Sequence, residues 1–484
     1  MPTLSEQVQA NIRALTGASG QYIGDWHALF TLAGIPSGQF GERLLAYYKS
    51  KYADNPTAAS ALNYFLLNPS QITAAGGGVN PALLFAAGEQ GFWYDPSDFS
   101  TLFQDSTGLT PVTAVEQPLG KVLDKSGRGN DAIQAIAANR PVLSARVNLL
   151  TKTEDYTVAP WTTSSATRVS TTAIAPDTSN TAASYTFGVN GVFYTSASFS
   201  LIAGSPVVTS VWLKASANIS FPFLYNGLSN GANNTIYTGG NVPLTNAWQK
   251  FTFSATAAGA DTGLYMLFGG AGYSGPETVS IWHPQLETRA SATTYQRVNT
   301  SADYDSVGFP VYIKFNGTNS TMSTGAINFS ATNKVSVFTG LRKASDAAQG
   351  MVLELSATDV SNAGTFNLQA PIGASATYGF DSKGTVLVPT QATAAAPVTS
   401  LITGQGDIGA PSNIIRINGV QQATSAVSQG TGNYGNYPIY IGARGGSSVY
   451  FNGDIYSLIV RGAASSASEV NNTETYVNNK TKAF

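Results

Sequence analysis

The chain has 484 residues, too many for one hydrophobic core, so its length predicts two to four domains. Its formal charge of −2 arises from 25 basic and 27 acidic residues without a basic run, which excludes the clustered cationic surface of nucleic-acid binders. Cysteine is absent, which excludes disulfides, thiolate zinc sites and a cysteine nucleophile.

Charged residues make up only 11% of the chain, against roughly 25% in an average soluble protein. Ser, Thr and Asn replace them, together with 49 Gly and 22 Pro. This composition predicts many short strands joined by tight turns, because Gly, Asn and Ser supply the turn conformations. A surface with few charges also suits packing against other subunits, since each buried charge costs desolvation energy.

We expect a soluble chain that does not insert into a membrane. The N-terminus lacks the basic start and apolar run of a secretory signal. Residues 215–249 contain no charged side chain, but Pro222, Pro243 and many Asn, Ser, Thr and Gly residues exclude a membrane-spanning helix.

Residues 1–72 are predicted to form a helical region. Thr3 and Glu6 have capping-box spacing at the start of the first helix. Three more helices are predicted over 25–33, 39–51 and 55–69. We expect these helices to expose an interface, because they carry more aromatic side chains than a small bundle can cover: Trp26, Phe30, Phe40, Tyr47, Tyr48, Tyr52, Tyr64 and Phe65.

Residues 73–146 are predicted to be a connector that begins with the glycine-rich stretch 74–78. Two β domains follow, over 147–300 and 301–484, with a last helix capped by Ser466 and Glu469. Turn-rich segments at 70–80 and 298–306 are the expected protease-sensitive joints between domains. The predicted fold is mainly β: a small N-terminal helical region followed by two β-sandwich (jelly-roll) domains.

Three stretches resemble segments of bacteriophage structural proteins. Residues 92–145 resemble a recurring virion segment. Residues 148–297 resemble carbohydrate-binding-like jelly rolls, in the pieces NLLTKTE at 148–154, SVWLK at 210–214, WQKFT at 248–252 and IWHPQLE at 281–287. The C-terminal block resembles a concanavalin A-like (laminin G-type) sandwich, in the pieces FNGTN at 315–319, RING at 416–419, YIG at 440–442 and FNGDI at 451–455.

No catalytic, metal or cofactor site is predicted. His27 and His283 lie in different predicted domains, and neither is accompanied by a nucleophile-elbow motif, so both are interpreted as structural or surface residues. The segment from Asp124 to Asp131 has alternating oxygen-bearing residues, as in a calcium loop. It lacks the closing bidentate Glu and contains Lys125 and Arg128, so we interpret it as a structural turn.

Sugar binding is the chemistry that the β domains favour, because aromatic rings stack on the C–H faces of sugars and neutral polar groups bind the hydroxyls. Alternation puts Trp212 on the same strand face as Lys214, and Trp282 on the same face as Ser280. These four residues are the predicted carbohydrate-binding site. The alternative is that the tryptophans pack under a loop or against a neighbouring subunit.

The sequence and the resemblance together imply a virion appendage or surface protein, such as a tail fibre, head fibre or spike, that attaches to host surface glycans. Two alternatives stay open: a capsid decoration protein that binds no sugar, and a host polysaccharide depolymerase. The expected partners are other virion proteins, further copies of the chain in a homo-oligomer (a trimer), and a host glycan. The helical region 1–72 is the expected particle-anchoring region.

Overall fold

The computed structural model describes residues 3–16, 22–32, 35, 39–49, 57–67, 80–198, 206–228, 236–257, 263–356, 358 and 361–484. Within these residues the protein is mainly β, with a short N-terminal helical region, so the predicted fold class is confirmed.

Four helices form the N-terminal region: α1 (Leu4–Thr16), α2 (Tyr22–Leu32), α3 (Phe40–Lys49) and α4 (Ala58–Leu67). The predicted capping box begins α1, where the Thr3 hydroxyl accepts the Glu6 amide hydrogen and Glu6 accepts the Thr3 amide hydrogen. The Asn55-Pro56 start predicted for the fourth helix lies outside the described residues. Among the described residues, no helix is long and apolar enough to cross a membrane.

The N-terminal aromatic side chains pack against one another inside the helical bundle. Trp26 is fully buried and lies 5.7 Å from the Phe30 ring and 6.0 Å from the Phe65 ring, measured between centroids. Tyr47 is fully buried as well, while Tyr52 lies outside the described residues. The inference that these rings exceed what the bundle can cover is therefore wrong, because the helices share most of them in one core.

Short strands follow in residues 80–146: β1 (Gly91–Tyr94), β2 (Leu102–Phe103), β3 (Lys121–Val122), β4 (Ala132–Ile133) and β5 (Val142–Ser144). Asp124 anchors the turn after β3, since its carboxylate accepts hydrogen bonds from the amides of Trp93, Ser126 and Asn130. The carboxylate of Asp131 accepts the Asp124 amide hydrogen. These contacts confirm the interpretation of this segment as a structural turn.

In its described residues the jelly roll has eight antiparallel strands: β6 (Thr162–Ala173), β7 (Ala182–Ser198), β8 (Pro206–Ala215), β9 (Ile219–Leu228), β10 (Ile236–Leu244), β11 (Gln249–Thr256), β12 (Gly263–Gly269) and β13 (Thr278–Glu287). The long strand β7 belongs to two layers, because its first half pairs with β13 and its second half with β12. One layer continues through β8 to β11, and the other through β9 to β10. The core between them includes Phe187, Val211 and Phe223.

The C-terminal part contributes the remaining elements: β14 (Tyr312–Asn316), β15 (Met322–Asn328), β16 (Lys334–Lys343), β17 (Met351–Leu355), β18 (Thr365–Gln369), β19 (Thr377–Lys383), β20 (Leu387–Thr393), β21 (Val398–Asp407), β22 (Ser412–Ile417), β23 (Val420–Ser425), β24 (Asn436–Ile441), β25 (Asn452–Arg461) and α5 (Ala467–Thr481). One sheet has the order β23-β22-β21-β16-β25-β14-β5, with β1 also paired to β25. The other has the order β2-β3-β4-β15-β24-β17-β18-β19-β20.

The strands of residues 91–144 are part of this sandwich and not of a separate connector. Strand β1 pairs with β25, β5 with β14, and β4 with β15. Phe92 and Leu143 lie in the same core as the residues of the C-terminal strands. Two chain segments therefore build one sandwich, and the jelly roll is inserted between them.

Helix α5 covers part of the outer face of the sheet that contains β25. Its capping box is formed by Ser466 and Glu469, as predicted. Val477 and Tyr476 pack against Phe338 and Ile459 of that sheet, together with Trp93 of β1. The beginning and the end of the sandwich are thus held together on one surface.

A buried amide network, the base clamp, joins the two ends of the jelly roll. The Gln296 side-chain oxygen accepts the amide hydrogens of Val147 (2.7 Å) and Asn148 (3.0 Å). Its amide group donates to the carbonyls of Ala145 (3.0 Å) and Asp305 (2.7 Å). Both Gln296 and Asn148 are fully buried. The clamp thereby fixes where the chain enters and leaves the jelly roll.

Many contacts cross the 298–306 segment, which we expected to be a joint with few of them. Val298 and Tyr304 are buried in one cluster with Ala145. The Tyr304 hydroxyl donates to the Glu116 carboxylate (2.6 Å) and accepts the Ala145 amide hydrogen (2.9 Å). We therefore no longer expect this segment to be an early cleavage site. The 70–79 part of the other joint lies outside the described residues.

Replacing Gln296 with Ala should destabilise the jelly roll strongly. The substitution leaves the Asp305 carbonyl and three buried backbone groups, on Ala145, Val147 and Asn148, without their partner, at about 1–3 kcal/mol for each buried group that stays unsatisfied. We expect chemical denaturation, followed by tryptophan fluorescence, to show a loss of about 3 kcal/mol or more. Gln422→Ala is the control, because Gln422 is exposed on β23 and its loss should change stability by less than about 0.5 kcal/mol. Equal stability of the two variants would contradict the role of the clamp.

Candidate functional site

The four predicted sugar-binding residues lie together on neighbouring strands β8 and β13. Trp282 pairs directly with Trp212 across the two strands. Two residues along, Ser280 pairs with Lys214. All four side chains point away from the jelly-roll core, because the residues between them, Leu213 and Ile281, belong to that core.

Two of these four residues are buried. Trp282 is 6% exposed, and its indole N–H donates to the Thr181 hydroxyl (2.8 Å). It shares a small cluster with Ala175 and Ala182, so the turn between β6 and β7 covers it. Ser280 is equally buried and its hydroxyl is 2.8 Å from that of Ser184. Neither residue presents a surface to a ligand in this structure, which differs from the predicted platform.

The surface that remains open consists of Trp212, Lys214, Trp248 and Lys250, which we call the tryptophan patch. Trp248 follows from the register, because Gln249 pairs with Leu213 and the next pair outward is Trp248 with Lys214. The Lys214 ammonium lies 5.0 Å from the centroid of the Trp248 ring. Lys250 is exposed and pairs with Trp212, while the two tryptophans are partly exposed.

Sequence reasoning missed Trp248 and Lys250 as site residues, although the signal was present. Strand β11 alternates between half-buried and exposed residues along its whole length. Because Phe251 and Phe253 face the core, the other phase of the alternation places Trp248 and Lys250 on the outer face. Pairing β11 with β8 needed the three-dimensional fold.

A bulge at His283 follows Trp282, the buried neighbour of the patch. His283 has a positive φ of 51°, and the pairing of β13 with β8 shifts between Trp282 and Gln285. The imidazole is stacked between the rings of Trp282 (3.4 Å) and Tyr295 (3.5 Å). His27 instead lies in the helical bundle, where its Nδ1 atom is 2.6 Å from the Arg43 guanidinium. The structure thus gives His283 ring-stacking contacts and His27 a hydrogen bond to Arg43, in separate parts of the chain.

A cleft of about 680 Å³ lies between the base of the jelly roll and the outer face of the sheet that contains β25. The sandwich contributes a cross-strand row in which Asp454 of β25 pairs with Arg342 on one side and Lys314 on the other. The jelly roll contributes Thr288 and Arg289. The Arg342 guanidinium donates to the Thr288 hydroxyl (2.7 Å), which connects the two walls.

Cationic side chains outnumber acidic ones in this cleft: Arg146, Arg289, Lys314 and Arg342 against Glu116 and Asp454. Burial raises the pKa of the Asp454 carboxyl, and the nearby Arg342 and Lys314 only partly oppose this. Burial, followed by the charge of Asp454, raises the pKa of Tyr456 to about 12. The sequence offered no signal for the cleft, because its walls come from separate segments of the chain.

No family model matches the chain, and no curated protein matches it. Among solved structures, the CBM40 module of the Ruminococcus gnavus IT-sialidase bound to alpha2,3 sialyllactose is 18% identical, with a TM-score of 0.24 over 28% of this chain and 80% of that chain. A CBM4 structure is 19% identical, with a TM-score of 0.21 over 31% and 88%. The enzymatically active domain of bacteriophage CBA120 tailspike protein 4 is 12% identical, with a TM-score of 0.25 over 30% and 22%. At these TM-scores the likenesses carry no argument about function.

Asp454 should make the protein less stable as the pH rises. Because its pKa is raised in the folded state, the folded chain holds this proton to higher pH than the unfolded chain does. Stability is therefore lost from about pH 4, near the unfolded pKa, up to the folded pKa. Relative to wild type, Asp454→Asn should gain stability across this range in urea denaturation at a series of pH values.

Asp303→Asn is the control for this titration. The pKa of Asp303 is lowered, first by a hydrogen bond from Asn299, so removing its charge should cost stability as the pH rises. The two variants should thus diverge from wild type in opposite directions. A pH-independent difference between Asp454→Asn and wild type would contradict the raised pKa.

Proposed function

We propose that the protein is a non-enzymatic surface component of a phage particle, and that its jelly roll binds host glycans. The observation that supports glycan binding is the tryptophan patch. Trp212 and Trp248 keep part of their rings accessible on the outer face of a sheet, while the neighbouring Trp282 is covered. Partly exposed aromatic rings flanked by polar side chains provide both apolar area and orientation for a ligand.

The patch is held in place before any ligand binds. Trp282 lies beside it on the same face of the sheet, with ring centroids 6.0 Å from Trp212 and 6.4 Å from Trp248. The Trp248 indole N–H donates to the Ile174 carbonyl (3.1 Å), which fixes the orientation of that ring. A surface ordered in this way loses little conformational entropy on binding, which favours the recognition of a weakly held sugar.

The lysines give the patch a chemistry that suits sugar binding. The Lys214 ammonium lies over the Trp248 ring and Lys250 is the cross-strand neighbour of Trp212, so each lysine brings hydrogen-bond donors for sugar hydroxyls next to one of the two rings. The role in a phage particle is supported by the resemblance of residues 92–145 and of the two β domains to virion segments, and by the low charge of the chain. The proposal applies equally to a tail fibre, a head fibre and a spike.

Replacing Trp212 or Trp248 with Ala should weaken glycan binding by about 1–3 kcal/mol per ring, if the stacking energy equals that of bases on exposed aromatic rings. Because both rings are partly exposed, thermal stability should change little. Trp282→Ala should instead destabilise the jelly roll by about 3–5 kcal/mol, as expected for a buried aromatic side chain. Binding of labelled host surface polysaccharide to immobilised protein measures the first effect, and thermal unfolding measures the second.

Val420→Ala, at an exposed position of the sandwich, is the matched control and should leave both quantities unchanged. Normal polysaccharide binding by both single variants and by the double variant would contradict the patch. Reducing ends that accumulate in the same incubation would favour the depolymerase alternative. A protein that neither retains nor cleaves the polysaccharide would favour the alternative of an architectural decoration protein.

We further propose that the chain forms a homotrimer and joins the particle through residues 1–72. Light scattering at micromolar concentration should give three times the mass of one chain, and a monomeric mass would contradict the trimer. Deleting residues 1–72 should leave a folded β protein, because the helical bundle has its own core. The truncated chain should no longer be incorporated into particles, and its incorporation would refute the anchor.

A further inference from the structure

We propose that the cleft between the jelly roll and the sandwich is a second ligand site, which binds an acidic saccharide unit through Arg289, Lys314 and Arg342. The site is separate from the tryptophan patch, and the saccharide part of its ligand rests on the proposed glycan binding. The anionic part rests on the charges and the geometry of the cleft alone.

The position of the cationic row follows from the strand register. On β16, the residues that face outward from the sandwich core are Phe338, Gly340 and Arg342, in that order. Phe338 is covered by α5, and a side-chain atom at Gly340 would collide with Thr481 at the end of that helix. The cover by α5 ends there, so Arg342 and its neighbours on β25 and β14 face the jelly roll instead.

The acidic groups near these cations do not neutralise them fully. The closest approach of Arg342 to Asp454 is 3.7 Å, and Lys314 is exposed and forms no ion pair with any described residue. Arg289 lies 3.8 Å from Glu287. Positive charge that is poorly compensated in a partly buried cleft attracts an anion more strongly than it would in open solvent.

The other two charged residues of the cleft, Glu116 and Arg146, already form hydrogen bonds within the protein. Glu116 accepts hydrogen bonds from the hydroxyls of Ser144 (2.5 Å) and Tyr304 (2.6 Å). Arg146 donates to the carbonyls of Asn148 (2.9 Å) and Leu149 (2.8 Å). The groups available to a ligand are therefore Lys314 and the unshared donors of Arg289 and Arg342, which gives the free part of the cleft its positive sign.

The dimensions and the lining of the cleft indicate the class of ligand. A volume of about 680 Å³ is within the range of roughly 300–1,000 Å³ for small-molecule sites. Guanidinium groups bind carboxylates with paired hydrogen bonds, and an ammonium adds a further donor. The hydroxyls of Thr151, Thr288 and Ser301 also line the cleft and are suited to the hydroxyl groups of a sugar ring. An acidic monosaccharide combines these features.

The alternative is that these cations serve only to join the two domains and to offset Asp454. Arg342 alone would meet that need, because it contacts both Thr288 and Asp454. A purely structural role predicts that Lys314, which is exposed and forms no ion pair with the residues that the structure describes, can be replaced with little consequence. The site proposed here predicts that Lys314 affects ligand affinity while it leaves stability unchanged.

Calorimetry on the full-length chain at low ionic strength tests the proposal, with glucuronate as the probe, glucose as its neutral counterpart and sulfate as a free anion. Glucuronate should bind, glucose should not bind at the same concentration, and sulfate should bind more weakly than glucuronate. Lys314→Gln and Arg289→Gln should each lower glucuronate affinity roughly tenfold or more, the range for losing one hydrogen bond to a charged group.

Lys482→Gln removes the same charge from an exposed position outside the cleft and the tryptophan patch, and should leave glucuronate affinity unchanged. Equal binding of glucose and glucuronate, or unchanged affinity in Lys314→Gln with a wild-type unfolding temperature, would overturn the proposal. Sulfate binding as tight as that of glucuronate would overturn the saccharide assignment.

Loss of polysaccharide binding in the Trp212 variant with glucuronate binding intact would show that the two sites are distinct. Glucuronate binding by a protein that retains no host polysaccharide would instead count against the proposed function alone.

Discussion

The base clamp around Gln296 is the interaction on which the arrangement of the two β domains depends. The sandwich is built from two segments that flank the jelly roll, so the inserted domain must leave the sandwich and return to it at nearly the same place. Gln296 achieves this by binding the backbone on both sides of the insertion, at Ala145 and Val147 before it and at Asp305 after it. Because Ala145, Val147 and Gln296 are buried, the hydrogen bonds among them are shielded from water, which makes the junction rigid.

The rigid junction explains why the cleft has a defined shape. The strand that ends the jelly roll, β13, leads directly to Thr288 and Arg289, and the clamp begins only a few residues later at Gln296. The Arg342–Thr288 hydrogen bond then joins the walls at a second point. Side chains from two domains can form one ligand site only when the domains keep a fixed relation, and two separate attachments provide it.

The local features of the fold could be predicted from the sequence, and the long-range ones could not. The capping residues Thr3 and Ser466 and the alternation along β8 are set by neighbouring residues, so the elements they define are present in the structure. The pairing of β1 with β25 joins residues more than 350 positions apart, and no local pattern indicates it. The same limit applies to the site: alternation placed Trp282 on the outer face, but only the fold shows the turn that covers it.

Trp212 and Trp282 show how position within a sheet decides the role of a side chain. Both project from the same face and are direct cross-strand partners, so their local environments in the sequence are alike. Trp282 lies on β13 beside β7, and the turn that precedes β7 folds over it. Trp212 is one strand further out, where Lys250 of the edge strand β11 is its other neighbour. Burial of Trp282 gives Trp212 a fixed ring to pack against at its side, so Trp212 can be ordered while its outer surface stays accessible. The tryptophan that cannot contact a ligand is therefore the one that keeps the patch in a fixed geometry.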